Sequence, residues 1–217
     1  MTISWYGEAC FLLEGGGVRI LIEPPQKDSG INPPRLKSDI LIYSKNRSQM
    51  SDVKGQLSEP DAFVIDGPGE YEIKGINILG IADFSPPVGG SGQANTIYNI
   101  EIDNIKITHL GFLNKDLDDE KMALINEPDI VLAPIGNNDI LDAGTAMKVI
   151  NKIEPSIAIP MLYDIKGLKI KRAPLAIFLE ESEAKETSQP KLTVKKKDLI
   201  EEETKIVILS PLGKEKV

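Results

Sequence analysis

Catalytic zinc is normally held by three protein ligands drawn from His, Cys and carboxylates, with a fourth position left for the water that the metal acidifies. This 217-residue chain has one histidine, His109, and one cysteine, Cys10. Together they cannot assemble that set unless carboxylates supply the rest. Cys10 lies in the apolar run Ala9-Cys10-Phe11-Leu12-Leu13, which suits a packed small hydrophobe better than a nucleophile. His109 ends an apolar strand pattern. With Ser44 or Asp66 it would be a general base, but a Ser-His-Asp triad is defined by geometry and not by spacing, so a hydrogen-bonded structural histidine is the favoured reading.

The elements that must position these residues are short strands followed by helices. Gly15-Gly16-Gly17 separates Cys10 to Glu14 from Val18 to Ile22, and Lys74-Gly75 separates Glu70 to Ile73 from Ile76 to Ile81. Each reads as a hairpin whose turn residues tolerate positive φ. Ile97 to Ile102 and Ile105 to His109 form a third hairpin across Asp103-Asn104, with isoleucines at a period of two. Lys37 to Ser44 and Ala62 to Ile65 read as buried strands.

Further on the period changes. Asp116 to Asn126 and Asp142 to Ile153 read as helices with acidic N-termini and downstream proline stops. Ile130-Val131-Leu132 and Ile157-Ala158-Ile159 bracket the second helix as a βαβ unit. Glu180 to Pro190 reads as an exposed loop or frayed helix end, and Ile206 to Leu209 as a last strand. Gly89-Gly90-Ser91-Gly92 lacks the context of a phosphate loop, and Asp116, Asp118 and Asp119 lack the pattern of a calcium loop.

Composition narrows the function. A net charge of −8 opposes phosphate neutralisation, so nucleic acid is a poor partner. The basic run Lys195-Lys196-Lys197 meets Glu201-Glu202-Glu203 and reads as solvated surface. No apolar window approaches the ~18 residues of a membrane span. These features fit one domain over residues 1–217, in the cytoplasm, with no membrane partner.

Trp5-Tyr6-Gly7-Glu8-Ala9-Cys10-Phe11, Gly67-Pro68-Gly69-Glu70-Tyr71-Glu72-Ile73-Lys74-Gly75, Asn95-Thr96-Ile97-Tyr98, Thr108-His109-Leu110-Gly111 and Ile159-Pro160-Met161-Leu162-Tyr163 follow one another in a distinctive order. From about Ile3 to Ser210 the chain resembles the Zn-dependent hydrolases of the metallo-β-lactamase superfamily, in the branch of ascorbate-phosphate lactonase-like proteins. The resemblance implies an α/β fold, a four-layer αββα sandwich with one or two metals at one edge of the facing sheets. It also implies departures. The histidine-rich signature falls on Lys45-Asn46-Arg47-Ser48-Gln49-Met50, so Lys45 and Arg47 stand for histidines, Gln49 for the acid and Met50 for the last histidine. Glu8, Phe112 and Leu162 replace three further ligands, and His109 alone is retained.

Two expectations follow. The first is a metal-free, non-catalytic binding or assembly module without a cofactor, in which Glu8 pairs with Lys45 and Arg47, or in which those cations take a small anionic ligand; Met50, Phe112 and Leu162 would close the old cavity. Its partner would be a protein or a small anion, and a homo-oligomer is compatible with it. The second is a hydrolase of a phosphorylated or lactone-like metabolite, metal-independent or with an unusual metal site. A pocket lined by His109 and several acids would favour the second.

Overall fold

The computed structural model describes residues 1–32, 34, 36–45, 61–84, 94–199 and 203–212. The first sheet contains β1 (Thr2–Trp5), β2 (Phe11–Gly15), β3 (Val18–Ile22), β4 (Ile40–Ile42) and β5 (Phe63–Ile65). The second contains β6 (Gly69–Ile73), β7 (Ile76–Asp83), β8 (Asn95–Ile102), β9 (Ile105–His109), β10 (Ile130–Pro134) and β11 (Ile157–Met161). β12 (Ser188–Gln189), β13 (Lys191–Thr193), β14 (Lys205–Ile206) and β15 (Ile208–Leu209) close the chain. The sheet orders are β13-β1-β2-β3-β4-β5 and β14-β11-β10-β9-β8-β7-β6, with β12 and β15 pairing separately.

All three expected hairpins form with two-residue loops, since Gly15 pairs with Val18, Ile73 with Ile76 and Ile102 with Ile105. Both loop residues have positive φ in each, including Asp103 at 53° and Asn104 at 61°. That is the turn whose twist matches the flanking strands. The inner faces, from Ile3 and Trp5 to Ile100 and Ile159, merge into one apolar cluster that joins the two sheets.

The β10–α2–β11 unit is a parallel crossover, with Ile130 opposite Ile157. Its helix α2 spans Ala143–Ile153; the Asp142 carboxylate accepts from Thr145 N at 2.8 Å, and Ala146, Val149, Ile150 and Ile153 are buried. Helix α1, Asp119–Ile125, starts later than the acidic run suggests. Asp118 caps it, and Asp116 pairs instead with Lys152 at 2.5 Å. Helix α3, Leu175–Ser182, buries Phe178 and Leu179 and packs on α2. The apolar tail Ile206 to Leu209 divides between two sheets: β14 joins β11, β15 joins β12, and Val207 N donates to Ala158 O between them. The outer face of the first sheet carries a smaller cluster of Cys10, Leu12, Leu21, Leu41 and Tyr43. No helix among the described residues is long and apolar enough to cross a membrane.

Candidate active site

The ends of β1, β3, β4, β9, β10 and β11 open on one edge of the sandwich and enclose a cavity of about 540 Å³. Glu8, Glu23, Lys45, Phe112, Asp139, Lys169 and Arg172 line it. Each strand turns sharply there. Glu8, Glu23 and Leu162 hold φ of 49°, 47° and 61°, and Gly111 holds 61°. Left-handed conformations of non-glycine residues cost about 1–3 kcal/mol each and persist where surrounding structure over-determines them, as at active sites.

Glu8 is fixed by its backbone, whose carbonyl accepts from Trp5 Nε1 at 2.9 Å and Leu162 N at 3.2 Å. Its carboxylate takes both Arg172 Nε, at 3.3 Å, and Nη2, at 3.1 Å. The third guanidinium nitrogen, Nη1, donates to Asp139 Oδ1 at 2.6 Å. The Arg172 side chain is only 3% exposed. Burial pulls its pKa down, but the hydrogen bonds and charges of Glu8 and Asp139 leave it above the ordinary value.

Glu23 ends the apolar strand β3 and is only 4% exposed, yet it faces the cavity. Ser44 N donates to its Oε1. Burial pushes its carboxyl up from 4.5 to about 7, against the pull of the Ser44 donors and the Lys45 charge. The buried Ser44 hydroxyl completes no hydrogen bond of good geometry among the described residues. Beside it Lys45 Nζ lies 3.9 Å from the centre of the half-buried Phe112 ring. Burial lowers the Lys45 pKa, opposed by the charges of Asp139 and Glu23. The pocket thus holds an acid and a base whose pKa values are displaced toward each other and toward neutrality, a signature of acid–base sites.

His109 stands apart. It is fully buried; Gly111 N donates to Nδ1 at 3.1 Å, which places the ring proton on Nε2, and that nitrogen donates to Ala9 O at 3.1 Å. Burial lowers its pKa from 6.5 to about 4. Its ring nitrogens are both engaged with backbone, and Asp66 is exposed beyond β5, so no Ser-His-Asp relay forms. Leu162 is fully buried beneath the cavity, Phe112 forms part of its wall, and the cavity between them stays open. Glu8 pairs with Arg172, which the sequence reading did not single out. Arg47, Gln49, Met50 and the Gly89-to-Gly92 run lie outside the described residues. Cys10 is buried, and burial, with the nearby Glu23 charge, raises its thiol pKa well above the ordinary value. Asp139, Glu23 and Arg172 were missed. Glu23 did carry a signal, a charged residue closing a buried strand just before Pro24-Pro25; Arg172, within Lys169-Ile170-Lys171-Arg172, looked like solvated surface.

A second concavity of about 580 Å³ lies outside the second sheet, beside α1, where Glu70, Asn77, Leu79, Asn99, Lys106 and Leu124 face it. None of the buried charged residues lines it. The displaced acid and base lie instead at the strand-end cavity.

Residues 2–162 match the family described as the beta-lactamase superfamily domain. The chain belongs to this family. It is 27% identical over 188 residues to a UPF0173 metal-dependent hydrolase of Thermoplasma acidophilum, covering 76% of this chain and 84% of that one. It is 29% identical over 200 residues to its counterpart in Thermoplasma volcanium, covering 81% and 88%. The crystal structure of a protein described as a Zn-dependent hydrolase of the metallo-beta-lactamase superfamily, from Thermotoga maritima, superposes with a TM-score of 0.77 at 27% identity, over 96% of this chain and 97% of that one. The αββα-type fold is therefore that of the superfamily. The expectation of a non-catalytic binding or assembly module is corrected by the same relatives, which are named hydrolases and match this chain over 84% or more of their length.

Metal belongs to the named function of these relatives. The donor set described at this cavity does not fit one. Both His109 nitrogens are engaged with backbone, the Glu8 carboxylate is filled by a guanidinium, and an ammonium faces the same space. Among the described residues no group of three or more His, Cys, Asp or Glu could hold a metal ion.

Proposed function

We propose that this protein is a hydrolase of a small lactone-like molecule, working in the strand-end cavity with protein groups in place of a metal. The observation that carries the reading is Glu23, a buried carboxyl that nonetheless faces a cavity large enough for a metabolite, next to the desolvated ammonium of Lys45.

The chemistry follows from those two groups. Glu23 as carboxylate takes a proton from water while the water oxygen attacks the carbonyl carbon. The carbonyl electron pair moves to oxygen, where the Lys45 ammonium stabilises the oxyanion. Collapse breaks the ring C–O bond, and the departing alkoxide recovers the proton from Glu23, giving the hydroxy acid. A carboxyl of pKa about 7 is half ionised at neutral pH, which suits both halves of this cycle.

Charge favours a lactone over a phosphorylated substrate. Among the described residues the lining has four acids, Glu8, Glu23, Asp28 and Asp139, and three bases, Lys45, Lys169 and Arg172, of which Arg172 is paired with Glu8 and Asp139. A dianionic phosphate finds no excess of free cations among these residues, whereas a neutral lactone needs none. The test is a panel of lactones, p-nitrophenyl esters and p-nitrophenyl phosphates, assayed with and without EDTA. Lactone turnover that survives the chelator and disappears in Glu23→Gln is expected. Turnover lost to EDTA, or unchanged in Glu23→Gln, would contradict the reading.

A further inference from the structure

The misfit between the family's metal and this donor set has a positive counterpart in Arg172. Its guanidinium joins three loops: the Gly7-Glu8 turn after β1, the Asp139 loop after β10, and its own segment beyond β11. The surroundings are shaped around it. Gly136 carries no side chain where a Cβ would come within 2.9 Å of Arg172 Cδ and would also strike Leu162 O. Ala173 N donates to Gly136 O at 2.8 Å, and Asn138 Nδ2 donates to Lys171 O at 2.8 Å, so the segment on each side of Arg172 is sewn to the Asp139 loop.

We infer that Arg172 is the resident cation of this site, tying by its fixed charge the loops that an exchangeable metal would otherwise hold together. A planar guanidinium suits this task because it binds one carboxylate through two nitrogens and still reaches a second. It is also charged at every physiological pH, so a dication cannot gain its place by driving off a proton. Exchange requires ejecting the whole side chain into solvent. A latent cation site follows: with the guanidinium gone, the Glu8 and Asp139 carboxylates are left facing the volume it filled, and oxygen ligands of this kind suit a hard divalent ion.

This inference is independent of turnover, and its test uses metal content and thermal unfolding. The native full-length protein is soaked in excess zinc and manganese, dialysed, and measured by inductively coupled plasma mass spectrometry, then melted with and without EDTA. The expected result is metal far below stoichiometry and an unchanged Tm. Arg172→Ala should melt roughly 10 °C lower, as removal of one partner from a buried ion pair does. Millimolar manganese or calcium should restore about 5 °C to the variant and nothing to the native protein. Near-stoichiometric metal in the native protein, or a Tm lowered by EDTA, would overturn the inference; so would a folded Arg172→Ala that gains no stability from either ion. Should that variant fail to fold, the native arms decide the matter, and Asp139→Asn, which keeps the Glu8 pair, should lose at most a few degrees and also ignore metal.

Discussion

His109 and Glu23 are both buried, both ionisable and both placed at the end of an apolar strand, yet the two regions do opposite things. The niche around His109 satisfies each ring nitrogen with a backbone partner, and burial holds the ring neutral with a pKa of about 4. The niche around Glu23 gives the carboxylate hydrogen bonds from Ser44 and Lys45 and leaves the group facing a cavity beside the Lys45 ammonium. Burial displaces a pKa in either place. Access to open volume, with a second displaced group alongside, is what the proposed reaction asks of the Glu23 region and what the His109 region lacks.

The largest effect should separate the two regions by activity. Glu23→Gln should reduce kcat/KM for lactone hydrolysis by about 10²–10⁴-fold, the range for loss of a general base, whereas His109→Gln should lower the melting temperature and leave kcat/KM of the folded enzyme within a few fold. Steady-state kinetics beside a thermal melt reads both.

Stability against pH sharpens the contrast next. Between pH 4.5 and about 7 the native protein holds a proton on Glu23 that the unfolded chain releases, so stability falls as pH rises through that window. Between pH 6.5 and about 4 the unfolded chain binds a proton at its histidine that native His109 refuses, so stability falls as pH drops. Each contribution is on the order of 3 kcal/mol, and where the windows overlap they oppose. Urea unfolding across this range should show Glu23→Gln losing stability on acidification and His109→Gln gaining it.

Gly111 joins the two regions. Its φ is +61°, and an added Cβ would lie 2.8 Å from Ser44 Oγ and would also collide with Asn95 Oδ1. Gly111→Ala should cost about 1–3 kcal/mol in urea unfolding, from the left-handed backbone and the crowding together. The smallest effect is expected at the cavity wall. Phe112→Leu removes the ring over which Lys45 sits and should destabilise by about 0.5–1 kcal/mol, and it should shift the alkaline limb of the pH–rate profile.

The hairpins and the βαβ unit were legible because periodicity and turn residues act locally. The Asp103-Asn104 turn and the Asp142 cap behave as such residues do in isolation. The division of Lys205 to Leu209 between two sheets was not legible, because it depends on which distant edges lie free. The site was legible only as positions. Glu8, Lys45 and Phe112 do meet at the cavity, but Glu8 takes its counter-charge from a residue 164 positions away, a pairing that spacing cannot foretell. His109 drew notice by its rarity and proved fully engaged. Glu23 resembled any acid at a strand end, and only its burial against the cavity distinguishes it.

The most direct test of the account is a carbon-13 NMR titration of the Glu23 side-chain carboxyl in the native protein, with the resonance assigned by its loss in Glu23→Gln. A midpoint near 7 is the result the account predicts. A midpoint near the ordinary 4.5 would mean that the carboxyl is solvated and unremarkable, and would remove the group on which the hydrolytic reading stands.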